Sequence, residues 1–152
     1  MKSPYRNYQK TQVTTASKEK ILLLEEISAP IVSLIHPSSE VSKYSSVDVG
    51  TVIMAGVVLN ADSKISKGTI LNTGCTIDHD CIIGDFTHIG PGANLGGGVQ
   101  VGENTLVGTG ASVKKSINIG KNTIVGAGAV VVNDLSDSII AKGIPARSKT
   151  LK

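Results

Sequence analysis

Every sixth residue from Ile35 to Val131 is Ile, Leu or Val, an unbroken series of seventeen positions. In a chain that is 40% hydrophobic, chance would give this on the order of once in 10⁷ tries, so the period marks a repeat architecture. Six fits neither the 3.6-residue turn of a helix nor the two-residue alternation of a strand. A second column runs beside the first. Two residues before each aliphatic position stands a mostly small side chain, such as Thr51, Ser63, Thr69, Cys75, Thr87, Ala93 or Ala129, with Ile117 as the bulky exception. One residue after the aliphatic position, the later units carry glycine (Gly84, Gly90, Gly96, Gly102, Gly108, Gly120, Gly126), and the earlier ones Asp48, Asn60, Asn72 and Asp78. These residue types accept positive φ most readily, so this position is expected to turn the chain. Each unit is therefore a short strand and a sharp corner.

Such units wind into a parallel β-helix with the aliphatic residues stacked inside, an all-β fold. Three units make an eighteen-residue coil of a triangular prism, and the series spans between five and six coils. Coils stack about 4.8 Å apart, so residues eighteen apart are expected to stand above one another. A single Phe, no Trp and 3% aromatic residues agree with a thin interior of Ile, Leu and Val. Residues 1–30 form an N-terminal extension. Its first sixteen residues are polar and patternless, which predicts disorder. A short helix is predicted over 17–28, with Ser17 as N-cap, Ile21, Leu24 and Ile27 on one face, and Pro30 closing it. The β-helix is expected over 31–138 and a C-terminal tail over 139–152. That tail holds a tight turn flanked by Lys142, Arg147 and Lys149.

Several function classes are set aside by composition. No apolar run reaches the eighteen residues of a membrane span, and the amino end has no signal-peptide pattern, so a cytoplasmic location is expected. The net charge of +3 is concentrated in residues 1–20, where five basic residues face Glu19 alone. The aromatic interleaving of a nucleic-acid binder is absent, so no nucleic-acid partner is expected. Cys75 and Cys81 share the small inward position on adjacent sides of the prism, and are expected to be buried reduced thiols rather than a disulfide or metal pair.

The chain has three histidines. His36, before Pro37, reads as a structural rim residue. His79 lies in Asp78-His79-Asp80, and His88 follows nine residues later. Eighteen residues beyond the first cluster stand Gly96, Gly97 and Gly98, expected to leave an open shelf over His79 with room for a ligand. Nine residues is half a coil, so His79 and His88 should point to different sides of one prism. They would share a pocket only across a subunit boundary, which favours a symmetric trimer. A carboxylate bonded to one ring nitrogen fixes the histidine tautomer and raises basicity at the other, as general base catalysis needs. Either Asp78 or Asp80 could make that bond.

The repeat resembles that of the hexapeptide-repeat acyltransferases. Leu71 to Ile89, LNTGCTIDHDCIIGDFTHI, is similar to the active-site segment of the NeuD/PglD-type sugar acetyltransferases. Leu34-Ile35-His36-Pro37 resembles the start of that family's β-helical domain, and Gly143-Ile144-Pro145-Ala146-Arg147 its closing signature. The resemblance implies a left-handed β-helix and direct acetyl transfer from acetyl-CoA to the amine or hydroxyl of a sugar or nucleotide-sugar. It implies a homotrimer with sites at the subunit interfaces and no metal. By position, His79 matches the catalytic base, Asp80 the acidic residue that tunes it, and His88 a histidine that contacts acetyl-CoA. Thr109 and Ala127 match further cofactor contacts. These two and Pro91 are eighteen apart, one vertical column suited to a pantetheine arm, and Gly97 on the shelf joins the cofactor-binding set, its neighbouring N–H groups facing the oxyanion. Family members usually carry a nucleotide-binding domain ahead of the β-helix; here some thirty residues precede the series, with no strand leading into G-x-G-x-x-G. Two other classes remain in view: a non-catalytic β-helical scaffold that lost its acceptor domain, and a trimeric zinc enzyme of the γ-carbonic-anhydrase type. The latter needs three ligands, whereas the two close histidines here are nine apart.

Overall fold

Seventeen two-residue strands, from β1 (Leu34–Ile35) to β17 (Val130–Val131), recur at six-residue intervals. The structure is a computed structural model and describes residues 12–150. The strands build three parallel stacks that form the faces of a prism. Face one holds the strands at 34–35, 52–53, 70–71, 88–89, 106–107 and 124–125; face two those at 40–41, 58–59, 76–77, 94–95, 112–113 and 130–131. Face three holds the strands at 46–47, 64–65, 82–83, 100–101 and 118–119. Register is eighteen residues throughout these stacks: His88, for instance, pairs with Ile70 below and Leu106 above.

The aliphatic series forms the core. From Ile53 to Val131 every member is nearly or fully buried, whereas Ile35, at the open first coil, is 51% exposed. Each fully buried Ile, Leu or Val contributes roughly 1.5–3 kcal/mol. The small column is buried too, and its hydroxyls are all used. Thr51, Ser63, Thr69, Thr87 and Thr105 each donate to a carbonyl fifteen residues on, at 2.7–3.2 Å. Those bonds offset the desolvation of a polar group in an apolar shaft. Cys75 and Cys81 are free, buried thiols in the same column, and burial pushes the Cys75 thiol up to about 12.

The corners do not turn where the first glycine column suggests. Positive φ falls three residues after the aliphatic position, at Gly56, Asp62, Gly68, Gly74, Asp80, Phe86, Gly92 and onward. Glycines one residue after it serve close approach instead. A Cβ on Gly90 would lie 2.8 Å from the Thr109 nitrogen, and one on Gly108 would lie 2.6 Å from the Ala127 nitrogen. At this position the backbone of one coil passes directly beneath that of the next.

The ends also depart from expectation. Helix α1 runs Gln12–Glu26, so Ser17 lies inside it rather than capping it, and residues 12–16 are helical; residues 1–11 lie outside the described residues. Of the expected apolar face, Ile21 is buried, while Leu24 and Ile27 are exposed. Ile21 reaches the corner column Gly50–Gly68–Phe86, where a Cβ on either glycine would meet its Cδ1 at 2.8 Å. Glu25 of the helix accepts a 2.9 Å bond from Lys67. At the other end the stack continues past 138. After a coil two residues shorter, β18 (Ile139–Lys142) extends face one, Ile140 pairing with Ile124, and β19 (Arg147–Thr150) folds back on it antiparallel. Ile139 and Ala141 join the core. Among the described residues no helix is long and apolar enough to cross a membrane.

Candidate functional site

The strand Thr76–Ile77 lies in the middle of face two, and the corner that follows it presents Asp78, His79 and Asp80. Asp80 takes φ 59° there, a conformation that Asp tolerates better than most residues. The turn brings the Asp80 carboxylate back onto the His79 ring, with Oδ2 2.7 Å from Nδ1. Asp80 is thus the orienting acid. Asp78 fixes the backbone of the corner instead. Its carboxylate accepts the His79 backbone N–H at 2.8 Å and the Asn60 side-chain amide at 3.0 Å. These bonds hold the Asp78 carboxyl below the usual range. The bond to Asp80, with the Asp78 charge nearby, raises the His79 pKa above its ordinary 6.5. With Nδ1–H donated to Asp80, Nε2 carries the lone pair. It has no hydrogen-bond partner among the described residues, and the side chain is 62% exposed. A basic, oriented and accessible nitrogen results.

The glycine shelf is not open space. The His79 ring lies against Gly97 so closely that a Cβ there would meet Nε2 at 2.6 Å and Cε1 at 2.7 Å. The missing side chain makes room for the imidazole itself. Two of the shelf's amides are committed: Gly96 N–H donates to Val113 O at 3.0 Å, and Gly98 N–H to His79 O at 2.8 Å. Gly97 N–H leans on the Asp78 carboxylate.

His88 lies on face one, away from His79, as half a coil requires. Its Nε2 is 3.1 Å from the Asn72 amide nitrogen. Asn72 Oδ1 already accepts the Thr73 N–H at 2.8 Å, so the amide must donate to His88, and the ring proton sits on Nδ1. Burial lowers the His88 pKa, which keeps the ring neutral. In the sequence Asn72 reads as a turn residue, and nothing there points to its contact with His88. Its one distinction there is a side chain in a column that is glycine at the next coil, Gly90.

Beyond His88, Pro91, Thr109 and Ala127 stack on the corner between faces one and two. Pro91 O accepts from Gly110 and Thr109 O from Gly128, at 2.9 and 2.8 Å. Thr109 and Ala127 are exposed. One chain therefore carries two separate groups of candidate residues: His88 with this column, and His79–Asp80 with Gly97 one face further round. Among the described residues no three His, Cys, Asp or Glu side chains are grouped to hold a metal ion.

The model of the bacterial transferase hexapeptide family (six repeats) matches residues 80–115. The acetyltransferase domain of PglB from Neisseria gonorrhoeae, solved with acetyl coenzyme A, is 35% identical at a TM-score of 0.88; the match covers 91% of this chain and 68% of that one. The chain belongs to the hexapeptide-repeat acyltransferases. This acyltransferase-family chain is also similar to a variant of perosamine N-acetyltransferase from Caulobacter crescentus, solved with CoA and GDP-perosamine. Identity is 43% at a TM-score of 0.89, over 90% of this chain and 65% of that one. WeeI from Acinetobacter baumannii matches at 27% identity and a TM-score of 0.86, over 90% and 67% of the two chains. The chain thus spans 65% of the length of the perosamine enzyme. None of the curated proteins matches it.

Proposed function

We propose that the protein is an acetyl-CoA-dependent acetyltransferase acting on the amine or hydroxyl of a sugar or nucleotide-sugar in the cytoplasm. The observation that carries the proposal is the Asp80–His79 pair, 2.7 Å apart, with Nε2 left accessible. Relatives solved with acetyl coenzyme A or with CoA and a nucleotide-sugar support it. In this reading His79 Nε2 removes a proton from the acceptor as its nitrogen or oxygen attacks the thioester carbonyl. The tetrahedral intermediate collapses with cleavage of the carbon–sulfur bond, and the proton on His79 passes to the departing thiolate. No acyl-enzyme is formed. The Gly97 N–H, which makes no backbone hydrogen bond among the described residues, is the shelf amide assigned to the oxyanion. Neutral His88 presents Nδ1–H to the acyl donor, and the Pro91–Thr109–Ala127 column carries the pantetheine arm.

The two groups form one site if the enzyme is a homotrimer, one subunit supplying His79 and its neighbour His88. Face one supports this arrangement. Its outward row, Val52, Ile70, Leu106 and Ile124 with His88 in the middle, is apolar, where face three presents Ser46, Lys64, Gln100 and Asn118 around a single exposed Ile82. The test is release of free thiol from acetyl-CoA against a panel of amino-sugar nucleotides and free amino sugars. Turnover with at least one acceptor is expected. Absence of turnover, together with no acetyl-CoA binding in a thermal-shift assay, would refute the proposal.

A further inference from the structure

Three carboxylates lie around His79, and two of them are in use. Asp78 holds the Asn60 amide and the His79 backbone N–H, and Asp80 holds the His79 ring. Asp62 is the third. It stands one coil below Asp80 in the same corner column, with the same left-handed backbone, φ 60° against 59°. Hydrogen bonds between coils fix this order: Asp80 N–H donates to Ala61 O at 3.1 Å, and Asp62 N–H to Tyr44 O at 3.3 Å. Asp62 is exposed, and its carboxylate accepts no hydrogen bond among the described residues, although its charge reaches the imidazole. One coil lower again stands Tyr44, 66% exposed, with Lys43 Nζ 5.0 Å from the centre of its ring.

Height along the prism decides which way the site is open. The chain climbs one coil every eighteen residues, so Pro91, Thr109 and Ala127 all lie above His79. A three-fold axis along the prism keeps those heights from one subunit to the next. With the pantetheine arm on that column, the donor takes the coils above the base and its thioester lies lowest. Gly97 also packs against the ring from above. An acceptor with its nucleophile at His79 therefore extends downward, past Asp62 about 5 Å below and toward Tyr44 about 10 Å below. A sugar ring matches both. Its hydroxyls donate to a carboxylate with free lone pairs, and its C–H face lies on the negative face of an aromatic ring. We infer that Asp62 and Tyr44 are specificity-determining residues that seat the acceptor's sugar on the coils below His79, Asp62 accepting from its hydroxyls and Tyr44 covering its apolar face. The inference rests on the transferase reading above and adds the side from which the acceptor enters.

The test compares wild type with Asp62→Gly and Tyr44→Ala. Glycine removes the carboxylate and accepts the φ of this corner; thermal melts check that both variants keep the fold. With the best acceptor of the panel, Asp62→Gly should raise its KM roughly tenfold or more, and Tyr44→Ala severalfold. KM for acetyl-CoA should stay within about twofold. At least one deoxy analogue of that acceptor should reproduce the loss with wild type and lose nothing further in Asp62→Gly. An acid limb moved to lower pH with the acceptor KM unchanged would overturn the inference, since Asp62 would then act only through the charge on His79. A rise in KM for acetyl-CoA would overturn it as well, by placing the donor on these coils. Calorimetry with the same panel separates this inference from the reading beneath it. Binding by wild type that both variants weaken supports the seat whether or not thiol is released. Full binding in either variant, or no binding by wild type, refutes it.

Discussion

Replacing Gly97 with alanine isolates what the shelf does. Gly97 does not adopt positive φ, so alanine brings no backbone strain. The added methyl would stand 2.6 Å from His79 Nε2, whereas ordinary contact begins at 3.4 Å. The ring must therefore give way by the difference, 0.8 Å. His79 is 62% exposed and can swing outward, so the fold loses little. A base displaced by about 1 Å can cost on the order of 10²-fold in rate. We expect Gly97→Ala to lower kcat by about that factor, with Tm and KM for acetyl-CoA close to wild type. Gly98→Ala makes the opposite control: its φ of 71° penalises alanine, but nothing lies nearer than 3.6 Å, so stability should fall by about 1 kcal/mol with kcat little changed. Thiol release and thermal melts on the two variants decide it. Near-normal kcat in Gly97→Ala would show that the ring is not held at the reacting position.

Other expectations concern the pair, the second histidine and the shaft. Only neutral His79 can act as base, so kcat/KM falls as pH drops through its pKa, which Asp80 and Asp78 hold above 6.5. Asp80→Asn keeps the corner but removes the largest cause of that shift; the acid limb of the pH–rate profile should move to lower pH and kcat fall roughly tenfold or more. Asn72→Ala frees the His88 ring to change tautomer, and should raise KM for acetyl-CoA severalfold while leaving the pH profile of the acid limb in place. Thr87→Val removes the hydroxyl that donates to Gly102 O at 2.9 Å, and should cost about 1–3 kcal/mol in denaturant unfolding.

Much of the molecule was legible because a β-helix converts sequence distance into height. Eighteen-residue register placed Gly97 over His79 and set Pro91, Thr109 and Ala127 in one column, and half a coil separated His79 from His88. The corner position is ambiguous in the sequence because two glycine columns run through the same repeat. Gly, Asn or Asp also fills the position three residues after the aliphatic one in most units, and that column makes the corners. Local composition does not distinguish a glycine needed for its φ from one needed for close approach. Phe86 turns a corner at φ 54° through tertiary packing, its ring filling the space over Gly68 beneath Lys18 and Lys67. That packing also decides where α1 docks, which the apolar spacing of Ile21, Leu24 and Ile27 did not reveal. The last coil keeps the aliphatic rule only by shortening, so that Leu135 bridges Ile119.

The central claim is that His79 is the base of an acetyl transfer from acetyl-CoA. Its most direct test is the turnover of His79→Ala, measured as thiol release with the best acceptor of the panel, on protein shown by sedimentation to keep the wild-type assembly. The account predicts a fall in kcat of roughly a hundredfold or more with acetyl-CoA binding retained. Turnover near the wild-type rate would contradict it.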